Sequence, residues 1–427
     1  MKKNILILGS GGREHAFAWS LSNDKNVNKV YCAPGNGGTS FIAENIALNL
    51  ANIEEIIRVV KDNNIDITIV GPEDPLAAGI VDAFRLERLR IFGPDSYGAQ
   101  LESSKLFARD LMAENGIPHP DYYACNTREE AESFKDILEL PLVLKADGLA
   151  AGKGVIVCES EKEFMDGLNI IFDKSNFGKA ANRISLERCL KGEELSVFAI
   201  CDGKNYKILN SAQDHKRVFD GDRGPNTGGM GAYSPTPLST KNLIDRVGKE
   251  IIEPTLKAMQ DRGHPYVGFL YVGLMIVDSN PYVIEFNVRM GDPETQVVLP
   301  LLESSLFELL WSATEGSLNK TKIKISSKTA VTVVLAAEGY PGNYPKGMRI
   351  SGLDQVKNKL VFHAGTVRDS HDILTAGGRV LNVVGFGNDL PSAIKEAYDI
   401  AKEIEFNSKF YRQDIGKRGL KYLKEGV

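Results

Sequence analysis

Residues 145–155 read Lys145-Ala146-Asp147-Gly148-Leu149-Ala150-Ala151-Gly152-Lys153-Gly154-Val155, between the apolar runs Leu142-Val143-Leu144 and Ile156-Val157. The layout is strand, small-residue loop, strand. It is not a Walker A loop. Asp147 stands where the first glycine of G-x-x-x-x-G-K-[ST] belongs, and Gly154 stands where the hydroxyl residue belongs. A loop of Gly and Ala can still drape its backbone N–H groups over phosphates while Lys153 reaches in. Lys145 sits at the end of the preceding strand. Two lysines beside a bare backbone loop make poor hairpin chemistry without an anion.

Downstream, an antiparallel pair is expected over Phe269 to Val277 and Tyr282 to Val288, with Asp278-Ser279-Asn280-Pro281 as its turn. A strand has period two, so Glu285, Asn287 and Arg289 share one face while Ile284, Phe286 and Val288 point into the core. The first two offer hard oxygens to a divalent cation, and Arg289 can fork onto a phosphoryl group. The plainer reading is a solvated sheet face. Met290-Gly291-Asp292-Pro293-Glu294-Thr295 directly after the strand favours the site.

Between these two motifs lie Gln213-Asp214-His215-Lys216-Arg217 and Gly224-Pro225-Asn226-Thr227-Gly228-Gly229-Met230-Gly231-Ala232-Tyr233. Asp214 to Tyr233 reads as one long, polar, Gly-rich loop that encloses substrate. His215 is a general base or a hydrogen-bonded turn residue, with the structural role weighted higher.

The first hundred residues alternate strand and helix. Strands are expected at Ile5 to Leu8, Val30 to Cys32, Ile67 to Val70 and Ile91-Phe92, with a helix from about Glu14. Short continuous apolar runs of this kind are buried parallel strands. Gly/Pro clusters follow each one, at the carboxyl edge where ligands of open α/β sheets bind. Gly9-Ser10-Gly11-Gly12-Arg13-Glu14 is a weak match to the dinucleotide fingerprint. Glu14 occupies the third glycine position, and the second strand ends in Ala33-Pro34 rather than an acid, so NAD does not fit. A phosphate at the helix N-terminus, with Arg13 adding charge, does.

The chain has 427 residues, 43% apolar and 25% charged, which is a globular composition. The net charge of −5 asks for no polyanionic partner, neither nucleic acid nor an acidic membrane. Five cysteines without a C-x-x-C pair fit reduced thiols in a cytoplasmic protein. The apolar start breaks at Gly9 and reads as a first strand rather than a leader, and no apolar run is long enough to span a bilayer. The expected organisation is α/β and α+β multidomain. An N-terminal open parallel sheet (1–103) precedes a central domain of two α+β lobes (104–320, mobile lobe about 120–190) and a small mixed α/β C-terminal domain (321–427).

Together these motifs resemble the ATP-grasp superfamily and, within it, the phosphoribosylamine–glycine ligase family. The likeness rests on GGREHA at 11–16, APGN at 33–36, IVGPE at 69–73, KADGLAAGKGV at 145–155, QDHKR at 213–217, GPNTGGMGAYSP at 224–235, GFLYVGLMI at 268–276, VIEFN at 283–287 and GDPETQ at 291–296. HAGT at 363–366 and GGRV at 377–380 also fit. The resemblance implies a pre-ATP-grasp N-terminal domain and an amide-forming carbon–nitrogen ligase of purine biosynthesis. It would join glycine to 5-phosphoribosylamine at the cost of ATP, through a glycyl phosphate.

Carried over residue by residue, the resemblance implies Glu285 and Asn287 as ligands of Mg²⁺ or Mn²⁺. ATP would be held by Lys105, Lys145, Gly148, Gly152, Lys153, Gly154, Glu187, Leu190 and Glu194, the last on the ribose hydroxyls. Gly11, Gly12, Arg13, Glu14, His15, Asn36 and Glu73 would hold phosphoribosylamine. Asp214, His215 and Lys216 would lie on the substrate side. Asp214, Arg289 and Lys145 are the candidates nearest the reacting groups. The partners are small molecules, and a monomer or weak dimer is expected. The end at Val427 without an appended domain fits a single-activity enzyme. Other ATP-grasp carboxylate–amine ligases, a Rossmann-type dehydrogenase or nucleotide-binding module and a non-catalytic paralogue are the alternatives.

Overall fold

A computed structural model describes residues 2–149, 154–172 and 183–425. The N-terminal sheet has five parallel strands: β1 (Lys3–Gly9), β2 (Val27–Pro34), β3 (Glu44–Asn45), β4 (Ile67–Val70) and β5 (Ile91–Phe92), in the order β3-β2-β1-β4-β5. Ile5, Leu6, Ile7 and Leu8 are fully buried, because β1 is central and covered on both faces. Helix α1 (Gly12–Ser22) begins two residues before the sequence pattern indicates. The Gly/Pro clusters all follow the carboxyl ends of these strands, as expected.

A second, four-stranded antiparallel sheet holds β6 (Tyr122–Cys125), β7 (Leu142–Ala146), β8 (Val155–Cys158) and β9 (Ile184–Arg188), in the order β6-β9-β7-β8. It has a core of its own, in which Leu144, Phe164, Leu168 and Leu186 pack together.

The third sheet is the largest. Along the chain come β10 (Glu193–Asp202), β11 (Tyr206–Asp214), a hairpin of β12 (Arg217–Phe219) and β13 (Arg223–Asn226), β14 (Gly231–Ser234), β15 (Val267–Val277) and β16 (Asn280–Asn287). Then follow β17 (Thr329–Ala337), β18 (Leu360–His363), a hairpin of β19 (Thr366–Asp369) and β20 (Asp372–Thr375), β21 (Arg379–Gly387) and β22 (Lys409–Phe410). The order is β16-β15-β10-β11-β14-β17-β21-β18, with β22 on β17. One ladder therefore runs from the central region into the C-terminal region, through the pairing of Ala232 with Thr332.

Three expectations need correction. Asp214 to Tyr233 is not one loop, since it holds the β12–β13 hairpin and β14. Gly231-Ala-Tyr-Ser234 becomes a strand only because β11 and β17 lie on either side of it. The turn of the β15–β16 hairpin is Asp278-Ser279 alone, both with positive φ (49° and 64°), the backbone of a type I′ turn. Finally, Ile284 does not point into the core. The register jumps from Gly273–Glu285 to Leu274–Val283, so Ile284 is the extra residue of a β-bulge, and Val283 takes the core position beside Phe286 and Val288.

Candidate active site

The bulge has a chemical consequence. With Ile284 out of register, its carbonyl accepts hydrogen bonds from Lys145 Nζ and Arg109 Nη2, both at 2.8 Å. Arg109 also donates to the Val283 carbonyl at 2.9 Å and forks onto Glu187, at 2.9 Å from Nε and 2.7 Å from Nη2. Lys145 Nζ lies 2.9 Å from the same carboxylate. The edge of the large sheet is thus tied to the four-stranded sheet by two cations sharing one buried acid. Burial alone would raise the Glu187 carboxyl, but Arg109 and Lys145 outweigh it and hold it at about 2. Burial, with Arg109 adding to it, brings Lys145 down to about 8 despite the pull of Glu187 and Glu285. The Glu187 side chain thus braces Lys145 and is not free to meet a base or ribose.

Arg109 is the functional residue that the sequence reading misses. Its signal is a lone guanidinium within Leu106-Phe-Ala-Arg-Asp-Leu-Met112, on a helix that buries Leu106, Arg109 and Met112 together. That helix (Lys105–Glu114) starts where it does because Ser104 Oγ accepts the Phe107 N–H at 3.1 Å. Asp147 Oδ1 accepts from Ser104 Oγ at 2.9 Å and from the Leu106 N–H at 3.2 Å, tying the helix start to the end of β7. Lys105, the first helical residue, donates to the Glu102 carbonyl at 3.1 Å.

Next to this seam stand the acids of the large sheet. Lys216 Nζ lies 3.0 Å from Glu194 Oε2 and 4.0 Å from Glu285 Oε1. Burial raises Glu285, but Lys216, Lys105, Lys145 and Arg289 together bring it to about 2, so it is anionic at any working pH. Among the described residues no group of three or more His, Cys, Asp or Glu could cage a metal. Glu285 and Asn287 alone supply two hard oxygens on one strand edge. That suits a Mg²⁺- or Mn²⁺-type ion that takes its remaining ligands from phosphates and water, so the donor set fits the group.

Arg289 is held between two acids, at 3.0 Å from Glu73 and 2.8 Å from Glu102. Both keep it charged against the cost of burial. Asp214 is buried, and burial raises its carboxyl, with Glu194 and Glu285 adding to the rise against the pull of Lys216 and Arg418. Glu294 accepts from the Tyr271 hydroxyl at 3.0 Å, and burial together with the nearby Asp214 charge lifts it to about 7.

The N-terminal residues are differently arranged. Glu14 Oε2 accepts the Gly11 N–H at 2.6 Å and Oε1 accepts from Arg13 Nε at 2.5 Å. Asp292 Oδ2 accepts the Arg13 N–H at 3.4 Å. Two N–H groups at the start of α1, those of Gly11 and Arg13, are therefore engaged by carboxylates of the chain. Room for the buried Glu14 comes from Gly9 (φ +127°) and Gly71, where a Cβ would strike it. The misfit to the dinucleotide fingerprint is thus built in. Arg13 Nη1 donates to the Met290 carbonyl at 3.1 Å, and so braces the loop rather than standing free.

His15 Nδ1 accepts the His363 N–H at 2.8 Å, and burial, reinforced by His363, drops His15 to about 3. Through Nδ1 the ring is joined to the end of β18. Asn36 donates to the carbonyls of Ser10 (2.9 Å), Gly11 (3.3 Å) and His363 (2.9 Å), while its oxygen accepts the N–H groups of Gly38 and Thr39. Its side chain is fully engaged with the backbone of the chain. His215 is also hydrogen-bonded within the chain. Its Nε2 accepts the Gly416 N–H at 3.3 Å, and burial holds it neutral, near 3.

Gly148 and Gly154 flank the loop after β7, where Ala146 N–H donates to the Gly154 carbonyl at 2.8 Å. Gly152 and Lys153 lie outside the described residues. Leu190 lies in the short connection between β9 and β10, half-buried at the junction of two sheets. Gly12 is packed so tightly that a Cβ would come within 2.5 Å of Asn382 and Gln296.

Three family models cover most of this architecture: the N domain (residues 3–102), the ATP-grasp (A) domain (103–295) and the C domain (330–418) of phosphoribosylglycinamide synthetase. A phosphoribosylamine–glycine ligase of Chlorobaculum tepidum is 44% identical over 97% of this chain and 100% of its own length. The chain belongs to the phosphoribosylamine–glycine ligase family. Another family member, from Pseudomonas syringae, is 47% identical over 98% of each chain. The crystal structure of the phosphoribosylamine–glycine ligase of Thermotoga maritima superposes with a TM-score of 0.85 at 34% identity, covering 96% of this chain and 100% of that one. Family membership makes the chain an ATP-grasp carbon–nitrogen ligase, and it removes the dehydrogenase alternative. No helix among the described residues is long and apolar enough to cross a membrane.

Proposed function

We propose that the chain condenses glycine with 5-phosphoribosylamine, driven by cleavage of ATP to ADP and phosphate, with a divalent Mg²⁺ or Mn²⁺ ion at Glu285 and Asn287. What carries this reading is the convergence of Lys145, Lys216 and Glu285 at the seam between β7 and β16, where Lys145 Nζ is 2.8 Å from the Ile284 carbonyl and Lys216 is 4.0 Å from Glu285. A triphosphate entering there meets two ammonium groups and an acid able to share a cation. The bound ion would supply neutralisation of the phosphate tail.

In the reaction, a glycine carboxylate oxygen bonds to the terminal phosphorus of ATP and ADP departs. The sugar amine then attacks the acyl carbon of glycyl phosphate, the carbon–nitrogen bond forms, the carbon–oxygen bond breaks, and phosphate and a proton are released. A free carboxylate is a poor acylating agent, so phosphorylation supplies its leaving group. The residues position and neutralise. Lys105, Lys145, Gly148 and Gly154 serve the nucleotide phosphates, and Gly152 and Lys153 join them on the sequence motif alone. Glu194 lies toward the ribose and Leu190 toward the base. Asp214 and Arg289 flank glycine and the transferred phosphoryl group. Gly11, Gly12, Arg13 and Glu73 frame the aminosugar phosphate. Localisation in the cytoplasm and a monomeric or weakly dimeric state complete the reading.

The test is ADP release by the full chain with ATP, glycine and freshly generated phosphoribosylamine, each omitted in turn. Release that needs all three supports the proposal. Release that persists without glycine, or that another amino acid restores better, overturns it.

A further inference from the structure

Gly377-Gly378-Arg379-Val380 opens β21, and the proposed function leaves it without a role. Arg379 is mostly buried and reaches from the C-terminal region into the loops of the central domain. Its Nη1 lies 2.6 Å from the Gly228 carbonyl, 2.6 Å from the Asp292 carbonyl, 3.3 Å from the Gly229 carbonyl and 3.4 Å from Asp292 Oδ1. Two sequence motifs, the Gly-rich 224–233 segment and Gly291-Asp292-Pro293-Glu294, are thus pinned to each other by one guanidinium from a third. The fit is close. A Cβ on Gly228 would come within 2.9 Å of Arg379 Cζ, so a side chain there would push the guanidinium away from the loop backbone.

Asp292 carries the contact onward. Its Oδ2 accepts the Arg13 N–H at 3.4 Å and its Oδ1 accepts from Gln296 at 2.8 Å. Asn382, three residues along β21, sits against Gly12, where a Cβ would come within 2.5 Å of its amide. None of the hydrogen bonds or ion pairs of Arg379 reaches Lys105, Lys145, Glu187, Lys216 or Glu285. The strand itself does not depend on this fork, because β21 is laddered to β17 and β18 and buries Val380, Leu381, Val383 and Val384.

We infer that Arg379 is a positioning residue for the aminosugar-phosphate side of the site, setting Gly228–Gly229 and Asp292 against the Gly11–Arg13 turn. The inference rests on the ligase reading above. Through Arg379 the C-terminal region takes a direct part in the aminosugar-phosphate pocket.

The test compares wild type, Arg379→Gln, Arg379→Lys and Gly228→Ala in the full chain. Separate KM values for ATP and phosphoribosylamine are measured, together with ribose 5-phosphate binding by calorimetry and thermal midpoints. Loss of charge-assisted hydrogen bonds of this kind raises the phosphoribosylamine KM about tenfold in Arg379→Gln, with the ATP KM unchanged within about twofold. Arg379→Lys, which keeps the charge but cannot place a guanidinium nitrogen among the Gly228, Gly229 and Asp292 oxygens, falls between. Gly228→Ala reproduces the split with the arginine intact, and decides the matter if Arg379→Gln does not fold. Equal changes in both KM values, or unchanged ribose 5-phosphate affinity in Arg379→Gln and Gly228→Ala, overturn the inference. A wild-type chain without glycine-dependent ADP release sinks the ligase reading instead. Weakened ribose 5-phosphate binding in the variants would then still support the positioning role.

Discussion

The regions proposed for the nucleotide and for the sugar are built on opposite plans. Around β7, β9 and β16, charges are shared unevenly: two cations lean on Glu187, and Lys216 stands between Glu194 and Glu285 at 3.0 and 4.0 Å. Such groups can trade partners when a polyphosphate arrives. Around α1, Glu14 holds the Gly11 N–H and Arg13, and His15 and Asn36 are hydrogen-bonded to the backbone of His363. The proposed nucleotide region offers charge shared among several groups. The proposed sugar region offers a frame in which polar side chains hold the backbone.

Four measurements can break or sharpen that contrast. The largest effect belongs to Glu285→Gln, which keeps the shape and removes the anion. Glycine-dependent ADP release should fall by about 10²–10³ with the thermal midpoint preserved. Unimpaired turnover would remove Glu285 from the cation site. Arg109→Met leaves Glu187 buried with only Lys145 to balance it. Denaturant unfolding should show a loss of about 3 kcal/mol, whereas a neutral result would mean that the seam is not where the two sheets are joined. Asn36→Ala removes a hub of the preset frame. It should cost about 2 kcal/mol of stability and raise the phosphoribosylamine KM while sparing that for ATP. A shift confined to the ATP KM would reverse the assignment of sides.

The smallest effect is in pH. Lys145 titrates near 8 in the folded chain, below the ordinary lysine value of 10.5. Its charge is therefore lost as pH rises through 8, and the ATP KM should climb several-fold between about pH 7 and 9. Folding stability should not fall for this reason. Between 8 and 10.5 the unfolded chain binds the extra proton, so the Lys145 contribution rises with pH across that window. A flat ATP profile would place Lys145 away from the phosphates.

Much of this was legible in the residues, and the gaps have physical causes. β4 and β5 match their expected bounds because short apolar runs between Gly/Pro clusters leave little choice. β14 was hidden because Gly231–Ser234 has no strand pattern of its own and is held by neighbours distant in sequence. Period two put Ile284 in the core, whereas one extra residue moved it out and freed the carbonyl that anchors Lys145. Glu285 and Asn287 were visible as hard oxygens on a strand. The partners of Asn36 and His15 were not legible, since both meet His363, more than 300 residues away.

The ladder that crosses from β14 to β17 bears on how the molecule could be taken apart. The mostly exposed stretch 319–328 is the covalent link between central and terminal portions, yet Gly231–Ser234 and Thr329–Ala337 are stitched together independently of it. A protease nick there should yield two pieces that migrate as one species until denatured. The same property would let the chain be expressed as separate halves that reassemble into a working enzyme.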